Sequence, residues 1–214
     1  MKDIAVFTTD WGVSSLVLKE IPYRQEAYIH VRDVQPGGMD DHLRECAGFC
    51  RMAGADRVFF RGEEPIPGYP LHCRVLAMSG TATVDPEKLR CLFPVTEQTV
   101  SQWRRICNER LRAVDNAATL EARDEARILQ SGGAYFVHED GKLLGIGWLE
   151  DTKLLVMAAV VPGAGERVMH SLMSLVEGAR MELEVASTNT RAIRLYEKLG
   201  FTAVGQVSEW YRVV

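Results

Sequence analysis

The chain has 214 residues, of which 47% are hydrophobic and 25% are charged, and its formal net charge is −4 with histidine neutral. The composition is that of an ordinary globular protein, and the acidic balance argues against a nucleic-acid partner, because such proteins usually carry a basic surface. The sequence has no run of about 20 apolar residues, the length that a membrane-spanning helix needs. Its first residues, MKDIAVFTTD, lack the pattern of a signal peptide. We therefore expect a cytoplasmic protein with no membrane association.

The five cysteines and five histidines do not predict a metal site. None of the cysteines forms a C-x-x-C pair, and their odd number suits a reducing compartment. Cys46 and Cys50 are one helical turn apart, but they share an apolar stripe with Met39 and Leu43, which favours two core residues. The histidines lack H-x-x-x-H or a similar ligand spacing. We expect no bound metal.

The N-terminal part of the chain is predicted to be rich in strands, because β-branched and aromatic runs alternate there with polar breaks. Strands are predicted at 4–8, 15–21, 28–34, 57–61 and 71–78, and an amphipathic helix at 39–53. The segment EEPIPGYP, residues 63–70, contains three prolines, which exclude a helix. The best domain boundary lies at Asp85-Pro86 and divides the chain into a smaller domain, 1–88, and a larger one, 89–214.

Residues 89–214 are predicted to follow the order β-α-α-β-β-β-α-β-α-β-β. The Asp140-Gly141 pair predicts a hairpin turn, and the apolar segment KLLVMAAVV predicts a strand that is covered on both faces. Strands are predicted at 91–95, in the hairpin 133–150, and at 153–161, 181–185, 202–207 and 209–213. Helices are predicted from 96 or 97 to 111, and at 120–130, 166–177 and 190–199.

Three short features of the larger domain carry candidate chemistry. The segment VVPGAG leads from a strand into a helix, so that free N–H groups and the helix dipole favour an anion there, although a simple tight turn is the alternative. In MELEVAS, Glu182 and Glu184 point away from the apolar residues, either to solvent or to a reaction site. In the next helix, Asn189 is a candidate N-cap, and Tyr196 is either a core residue or a proton donor.

The segment NTRAIRLYEKLGF matches the pattern N-x-x-A-x-x-x-Y-x-x-x-G-F at Asn189, Ala192, Tyr196, Gly200 and Phe201. Together with the preceding strand, turn and helix, it resembles the acyl-CoA-binding half of the GCN5-related N-acetyltransferase (GNAT) superfamily, over about residues 89–214. The resemblance implies an α/β fold with a central mixed, mostly antiparallel sheet flanked by helices, here preceded by a smaller strand-rich half-domain. It also implies an N-acetyltransferase that uses acetyl-CoA as co-substrate and a primary amine as acceptor.

The resemblance gives roles to individual residues. Attack on a thioester needs a neutral amine, and the departing thiolate needs a proton; the resemblance assigns the acid to Tyr196 and the base to Glu184, with Glu150 as the alternative base. Asn189 is implied to bind CoA or an ordered water. The residues implied to hold the pantetheine arm are Ala158, Ala159 and Val160, and those around the diphosphate are Gly163, Ala164, Gly165, Glu166, Arg167 and Val168.

The turn before the helix departs from the GNAT pattern. Ala164 replaces the usual arginine or glutamine, Arg167 and Met169 occupy positions of small residues, and Glu166 places a negative charge where phosphate is expected. These departures favour an alternative, a degenerate GNAT-like module that binds CoA weakly or not at all and acts in regulation or protein interaction.

The first part of the chain contains a faint copy of the second. The pattern V-x-P-G occurs at 34–37 and again at 160–163, and a helix and a strand follow in both places. The helix that carries Tyr196 has no counterpart in the first copy, where EEPIPGYP stands instead. The sequence therefore predicts a degenerate partial repeat in residues 1–88 without a second CoA site. It leaves open the identity of the amine acceptor and whether the chain forms a homodimer.

Overall fold

The computed structural model describes residues 4–62 and 66–213. The chain forms two compact units: unit 1 contains the residues up to Val75 and those from Gln206, and unit 2 contains Leu76–Gly205. The chain passes from one unit to the other within two strands, β5 (Leu71–Thr81) and β11 (Thr202–Val213). Residues 1–3 of the stretch considered as a signal peptide, and residues 63–65 of the proline-rich segment, lie outside the described residues.

Unit 1 is a sheet with one main helix, in the strand order β1-β2-β3-β4-β11. The pair β3–β4 is parallel and α2 forms its crossover, whereas β1–β2, β2–β3 and β4–β11 are antiparallel. Cys46 and Cys50 are fully buried in the core of this unit, which confirms that they are core residues. The elements are β1 Ile4–Thr8, β2 Gly12–Val17, α1 Ile21–Arg24, β3 Glu26–Val34, α2 Met39–Met52 and β4 Arg57–Gly62.

Unit 2 contains a mixed sheet in the strand order β5-β10-β9-β8-β7-β6. The pairs β6–β7, β7–β8 and β8–β9 are antiparallel, whereas β9–β10 is parallel and is joined by helix α5. Asp140 and Gly141 have φ angles of 50° and 75°, as the predicted hairpin turn requires. The elements are β6 Cys91–Pro94, α3 Val100–Leu111, α4 Glu125–Ser131, β7 Ala134–Glu139, β8 Lys142–Glu150, β9 Lys153–Ala159, α5 Gly165–Met173, β10 Arg180–Ala186 and α6 Thr190–Lys198.

Helices cover both faces of the sheet in unit 2. Gly145 and Gly147 of β8 lie against Val168 and Leu172 of α5, in the cluster that also contains residues of α6. On the opposite face, Trp148 packs edge-on against the fully buried Trp103 of α3, with ring centroids 6.1 Å apart. The predicted class, an α/β fold with a mixed, mostly antiparallel sheet flanked by helices, is confirmed.

Three predicted strands are wrong in their bounds. The strands predicted at 202–207 and 209–213 form the single strand β11, because Ser208 continues the extended backbone between them. The strand predicted at 15–21 ends at Val17, and the short helix α1 begins at Ile21. Pro22 favours this helix start, since its fixed φ suits the first turn and it has no N–H to leave unpaired.

Three α-helices are shorter than the apolar pattern of the sequence predicts. The helix predicted from 96 or 97 begins at Val100, because the preceding residues form a turn in which the Thr96 N–H donates to Thr99 Oγ1 at 2.9 Å. The helix predicted at 120–130 begins as a 3₁₀ turn, Ala122–Asp124, and continues as α4. The helix predicted at 166–177 ends at Met173 and is followed by the 3₁₀ turn Ser174–Val176.

The segment around Asp85-Pro86, where the sequence predicts a domain boundary, is bound to α5. The N–H of Asp85 donates to Nδ1 of His170 at 3.2 Å, and the N–H of Arg90 donates to Oγ of Ser171 at 2.9 Å. Asp85 itself caps the 3₁₀ turn Pro86–Lys88. Unit 2 runs from Leu76 to Gly205, and the division into domains 1–88 and 89–214 stays a prediction. The degenerate repeat in residues 1–88 stays a prediction.

Candidate functional site

The parallel strands β9 and β10 pair only at the start of β9 and then diverge, which opens a gap in the sheet of unit 2. Their register joins Lys153 to Glu182 and Leu154 to Leu183. Beyond Leu154, β9 keeps its partner on the other side, since Ala159 still pairs with Gly145 of β8. The later residues of β9 therefore present one backbone edge to the gap rather than to a neighbouring strand.

A pocket of about 590 Å³ lies at this divergence. The end of β9 and the turn after it form one wall, α6 forms the second, and the C-terminal end of α3 forms the third. The lining residues are Arg110, Leu111, Val114, Met157, Ala158, Ala159, Val160, Val161, Pro162, Gly163, Gly165, Glu166, Asn189, Arg191, Ala192, Arg194, Leu195, Tyr196 and Lys198.

The start of α5 supplies hydrogen-bond donors beside this pocket. The N–H groups of Gly165, Glu166 and Arg167 have no acceptor in a preceding helical turn, and no side chain of the described residues caps the helix. Gly163 has a φ of 80°, a value at which a side chain would be strained, and it turns the chain from β9 into the helix. Such free N–H groups, together with the helix dipole, favour an anionic ligand.

Glu166 is the exception to this anion-binding character. Its carboxylate accepts hydrogen bonds from Nζ of Lys88 at 2.7 Å and from Nζ of Lys198 at 2.9 Å. These two ammonium groups lower the pKa of Glu166 to about 2, so that the carboxylate is charged throughout the physiological pH range. The start of α5 thus already holds one anion, with two lysines around it.

Tyr196 lies on the side of α6 that faces both the core and the pocket. Its side chain is only 7% exposed and packs against Phe201, at a centroid distance of 6.1 Å. Burial raises the pKa of Tyr196 to about 12, so that the hydroxyl keeps its proton at neutral pH. No hydrogen-bond partner for this hydroxyl is found among residues 4–62 and 66–213. The tyrosine is therefore a core residue whose polar atom is left available to a ligand in the pocket.

Asn189 fixes the start of α6 and lines the same pocket. Its Oδ1 accepts a hydrogen bond from the N–H of Ala192 at 3.2 Å, which confirms the predicted N-cap. At the other end of the helix, Gly200 has a φ of 86°, and the predicted glycine after the last turn is confirmed as well.

We expect Asn189→Ala to lower the free energy of unfolding by about 1 kcal/mol, the usual loss when an N-cap is removed. Asn189→Ser should stay close to the wild type, because the serine hydroxyl can cap the helix in the same way. Urea denaturation of the three proteins provides the measurement. Equal stabilities of the alanine variant and the wild type would show that this cap contributes nothing.

The structure brings most of the residues implied by the GNAT resemblance to this pocket. The predicted cofactor-binding residues that line it are Ala158, Ala159, Val160, Gly163, Gly165, Glu166 and Asn189, and the predicted acid Tyr196 lines it with them. Ala164 and Val168 are fully buried beneath the turn. Arg167 points to the carboxylate of Glu139.

The two carboxylates considered as the base lie outside the pocket lining. Glu184 is on the exposed side of β10, where its Oε1 accepts a hydrogen bond from Nζ of Lys153 at 2.7 Å. Glu150 ends β8 and binds Nη2 of Arg127 with both oxygens, at 3.0 and 3.1 Å. Each carboxylate is thus held by a neighbouring cation.

The departures at Arg167 and Met169 do not narrow the turn. Arg167 forms an ion pair with Glu139 on the side away from the pocket, and Met169 is fully buried in the core. Both residues lie on α5, and their positions on the helix direct their side chains away from the pocket. The expected obstruction by bulky side chains is therefore absent from the pocket lining.

Sequence reasoning missed the basic wall of the pocket. Arg191, Arg194, Leu195 and Lys198 lie at positions i, i+3, i+4 and i+7 of α6, so that they form one face of the helix. This spacing was readable in the sequence. The contribution of Arg110 could not be predicted from the sequence, because no local pattern indicates that the end of α3 approaches β9.

Comparison with solved structures identifies the fold. A GCN5-related N-acetyltransferase from Sphaerobacter thermophilus matches with a TM-score of 0.57 and 13% identity, over 94% of this chain and 76% of that one. A putative acetyltransferase from Pyrococcus horikoshii matches with a TM-score of 0.54 and 15% identity, over 95% of this chain and 69% of that one. The chain has a GNAT-like fold.

A conserved protein of unknown function from Staphylococcus epidermidis also matches, with a TM-score of 0.56 and 11% identity, over 99% of this chain and 94% of that one. No family model matches the sequence, and no curated protein matches it either. At these identities the likeness is one of fold, and the chemistry must be argued from the pocket itself.

Residues 4–62 and 66–213 contain no helix that is both long enough and apolar enough to cross a membrane. Nor do they bring together three or more His, Cys, Asp or Glu side chains in an arrangement that could hold a metal ion.

Proposed function

We propose that the protein is an acyl-CoA-dependent N-acyltransferase, which moves an acyl group, most simply acetyl, from acetyl-CoA to a primary amine. The observation that carries this proposal is the pocket at the divergence of β9 and β10. It combines a free strand edge for the pantetheine amides, N–H groups at the start of α5 for phosphate oxygens, and the hydroxyl of Tyr196, which has no hydrogen-bond partner among the described residues. The GNAT-like fold supports it, because neighbours of the same fold are named as acetyltransferases.

The proposed reaction begins with attack of the neutral amine nitrogen on the thioester carbonyl, which gives a tetrahedral intermediate. When the intermediate collapses, the C–S bond breaks and the sulfur takes the hydroxyl proton of Tyr196. The nitrogen loses its own proton to a base, and a solvent proton restores the tyrosine. Tyr196 is available for the acid role because burial keeps its hydroxyl protonated at neutral pH and because it lines the pocket.

Glu184 is our proposed base. Its carboxylate lies on the exposed side of β10 beside Lys153, so that the proton would pass through water rather than directly from the amine. Glu150 is the alternative, although its bidentate contact with Arg127 must open before it can accept a proton. We propose no acceptor more specific than a primary amine.

Titration calorimetry with acetyl-CoA, followed by a thiol-release assay with a panel of primary amines, tests the proposal. We expect one acetyl-CoA per chain and release of CoA thiol that depends on the amine. A chain that binds neither acetyl-CoA nor CoA, and is not stabilised against heat by millimolar amounts of them, would refute the function.

The position of Glu166 favours a second candidate, a GNAT-like module without turnover. A carboxylate at the start of α5 opposes phosphate, as expected of a site that no longer binds CoA tightly. The thiol-release assay separates the two functions, since a module that retains weak binding would bind acetyl-CoA but release no thiol with any amine.

A further inference from the structure

The pocket has an unequal distribution of charge. Among its lining residues are four cations, Arg110, Arg191, Arg194 and Lys198, and one anion, Glu166. The three arginines form no ion pair within the part of the chain that the structure describes. Lys198, by contrast, is bound to Glu166 at 2.9 Å.

Glu166 connects three segments at the start of α5. It lies in the first helical turn, where the dipole and the free N–H groups favour negative charge. Lys88 reaches it from the 3₁₀ turn Pro86–Lys88, and Lys198 reaches it from the last turn of α6. The carboxylate of Glu166 therefore occupies, within the chain, cationic surroundings of the kind that would bind a phosphate group.

We propose that Glu166 is a specificity-determining residue of the donor site, which competes with the diphosphate of the donor for Lys198 and for the start of α5. This inference rests on the proposed function. When a donor with a diphosphate binds, the contact between Glu166 and Lys198 opens, and the ammonium group of Lys198 turns to a phosphate oxygen. Binding of the pantetheine arm alone leaves this contact closed, because that arm carries no charge.

The competition has a direct consequence for donor affinity. Like charges brought close together at a binding site oppose association, and the charge of Glu166 does not vanish on acidification to pH 5, because its pKa is about 2. The diphosphate therefore contributes less to affinity than its charge suggests. Most of the donor affinity is then expected to come from the pantetheine contacts along β9 and from the three arginines, Arg110, Arg191 and Arg194.

The experiment compares the wild type, Glu166→Gln and Glu197→Gln by calorimetry. Glu197 is the matched control, because it lies on α6 beside Lys198, is exposed and does not line the pocket; its replacement changes the net charge by the same amount. The ligands are CoA, 3′-dephospho-CoA and pantetheine. The first two carry the diphosphate, and the third does not.

We expect Glu166→Gln to bind CoA and 3′-dephospho-CoA about tenfold more tightly than the wild type, a moderate effect for removing one like charge beside a partly exposed site. Pantetheine should bind the two proteins equally, and Glu197→Gln should behave as the wild type does. The gain should shrink as the salt concentration rises, because exposed charges are screened. Thermal unfolding of each variant verifies that it is folded.

Equal affinity of Glu166→Gln and the wild type for CoA would overturn the inference while leaving the proposed function intact. Weaker binding by Glu166→Gln would also overturn it, since Glu166 would then be holding the lysines in place for the donor. A gain for pantetheine of the same size would show that the effect does not involve the diphosphate. If neither CoA nor pantetheine bound any of the proteins, the proposed function itself would fail, and the inference with it.

Discussion

Replacing Tyr196 with phenylalanine is expected to lower turnover by about 10²-fold, the scale of general acid catalysis. The ring and its packing against Phe201 remain, and the hydroxyl has no hydrogen-bond partner among the described residues. The free energy of unfolding should therefore change little. Steady-state kinetics with acetyl-CoA and an active amine, together with urea denaturation, measure the two quantities separately.

Tyr135→Phe is the matched control for this experiment. Tyr135 lies on β7, packs against the same core cluster and does not line the pocket, so that its replacement should leave both turnover and stability near the wild-type values. A Tyr196→Phe enzyme that turned over normally, or that lost several kcal/mol of stability, would identify Tyr196 as a purely structural residue. The proposed acid would then have to be another group or water.

Gly145→Ala is expected to destabilise the protein by about 3 kcal/mol, at the upper end of the usual cost of overpacking a core. An added Cβ would lie 2.6 Å from the carbonyl oxygen of Ala158 and 2.7 Å from Cγ2 of Val168. The first contact presses on the backbone of β9, which cannot move without losing its pairing with β8. The second presses on α5, so that the free N–H groups at the start of this helix shift as well.

Donor affinity should therefore fall together with stability, even though Gly145 does not line the pocket. Denaturant unfolding measures the stability, and calorimetry with CoA measures the affinity. Gly205→Ala is the control, because a Cβ at Gly205 would meet nothing within 4 Å, and we expect it to leave both quantities unchanged. If Gly145→Ala were as stable as Gly205→Ala, the close approach of α5 to β8 would not be needed for the fold.

Local patterns in the sequence were sufficient for several parts of the site. The helix that carries Asn189 and Tyr196 was predicted from a cap, an apolar stripe and a following glycine, and each of these depends on residues within a few turns of one another. The hairpin turn at Asp140-Gly141 was predicted for the same reason. The continuous apolar character of the segment KLLVMAAVV predicted that β9 is covered on both faces. In the structure α5 packs on one face and α3 on the other.

Other features depend on contacts between residues that are distant in the sequence. Lys88 and Glu166 are 78 positions apart, and no local pattern indicates that they meet at the start of α5. The ion pair of Arg167 with Glu139 likewise decides that this arginine leaves the turn open. The surroundings of a charged side chain are set by whichever segments pack beside it, which only the tertiary arrangement specifies.

The sequence by itself determined the order of the elements from β6 to α6, the capped helix of Tyr196 and the turn at the start of α5, because hydrophobic period, caps and turn residues act over short stretches of chain. Only the tertiary structure decided that Glu184 and Glu150 lie outside the pocket lining, that β11 is one continuous strand, and that Glu166 is held between two lysines. Each of these outcomes depends on which distant segments lie beside one another: Arg127 beside Glu150, Lys153 beside Glu184, and Lys88 and Lys198 beside Glu166. No single segment encodes such contacts.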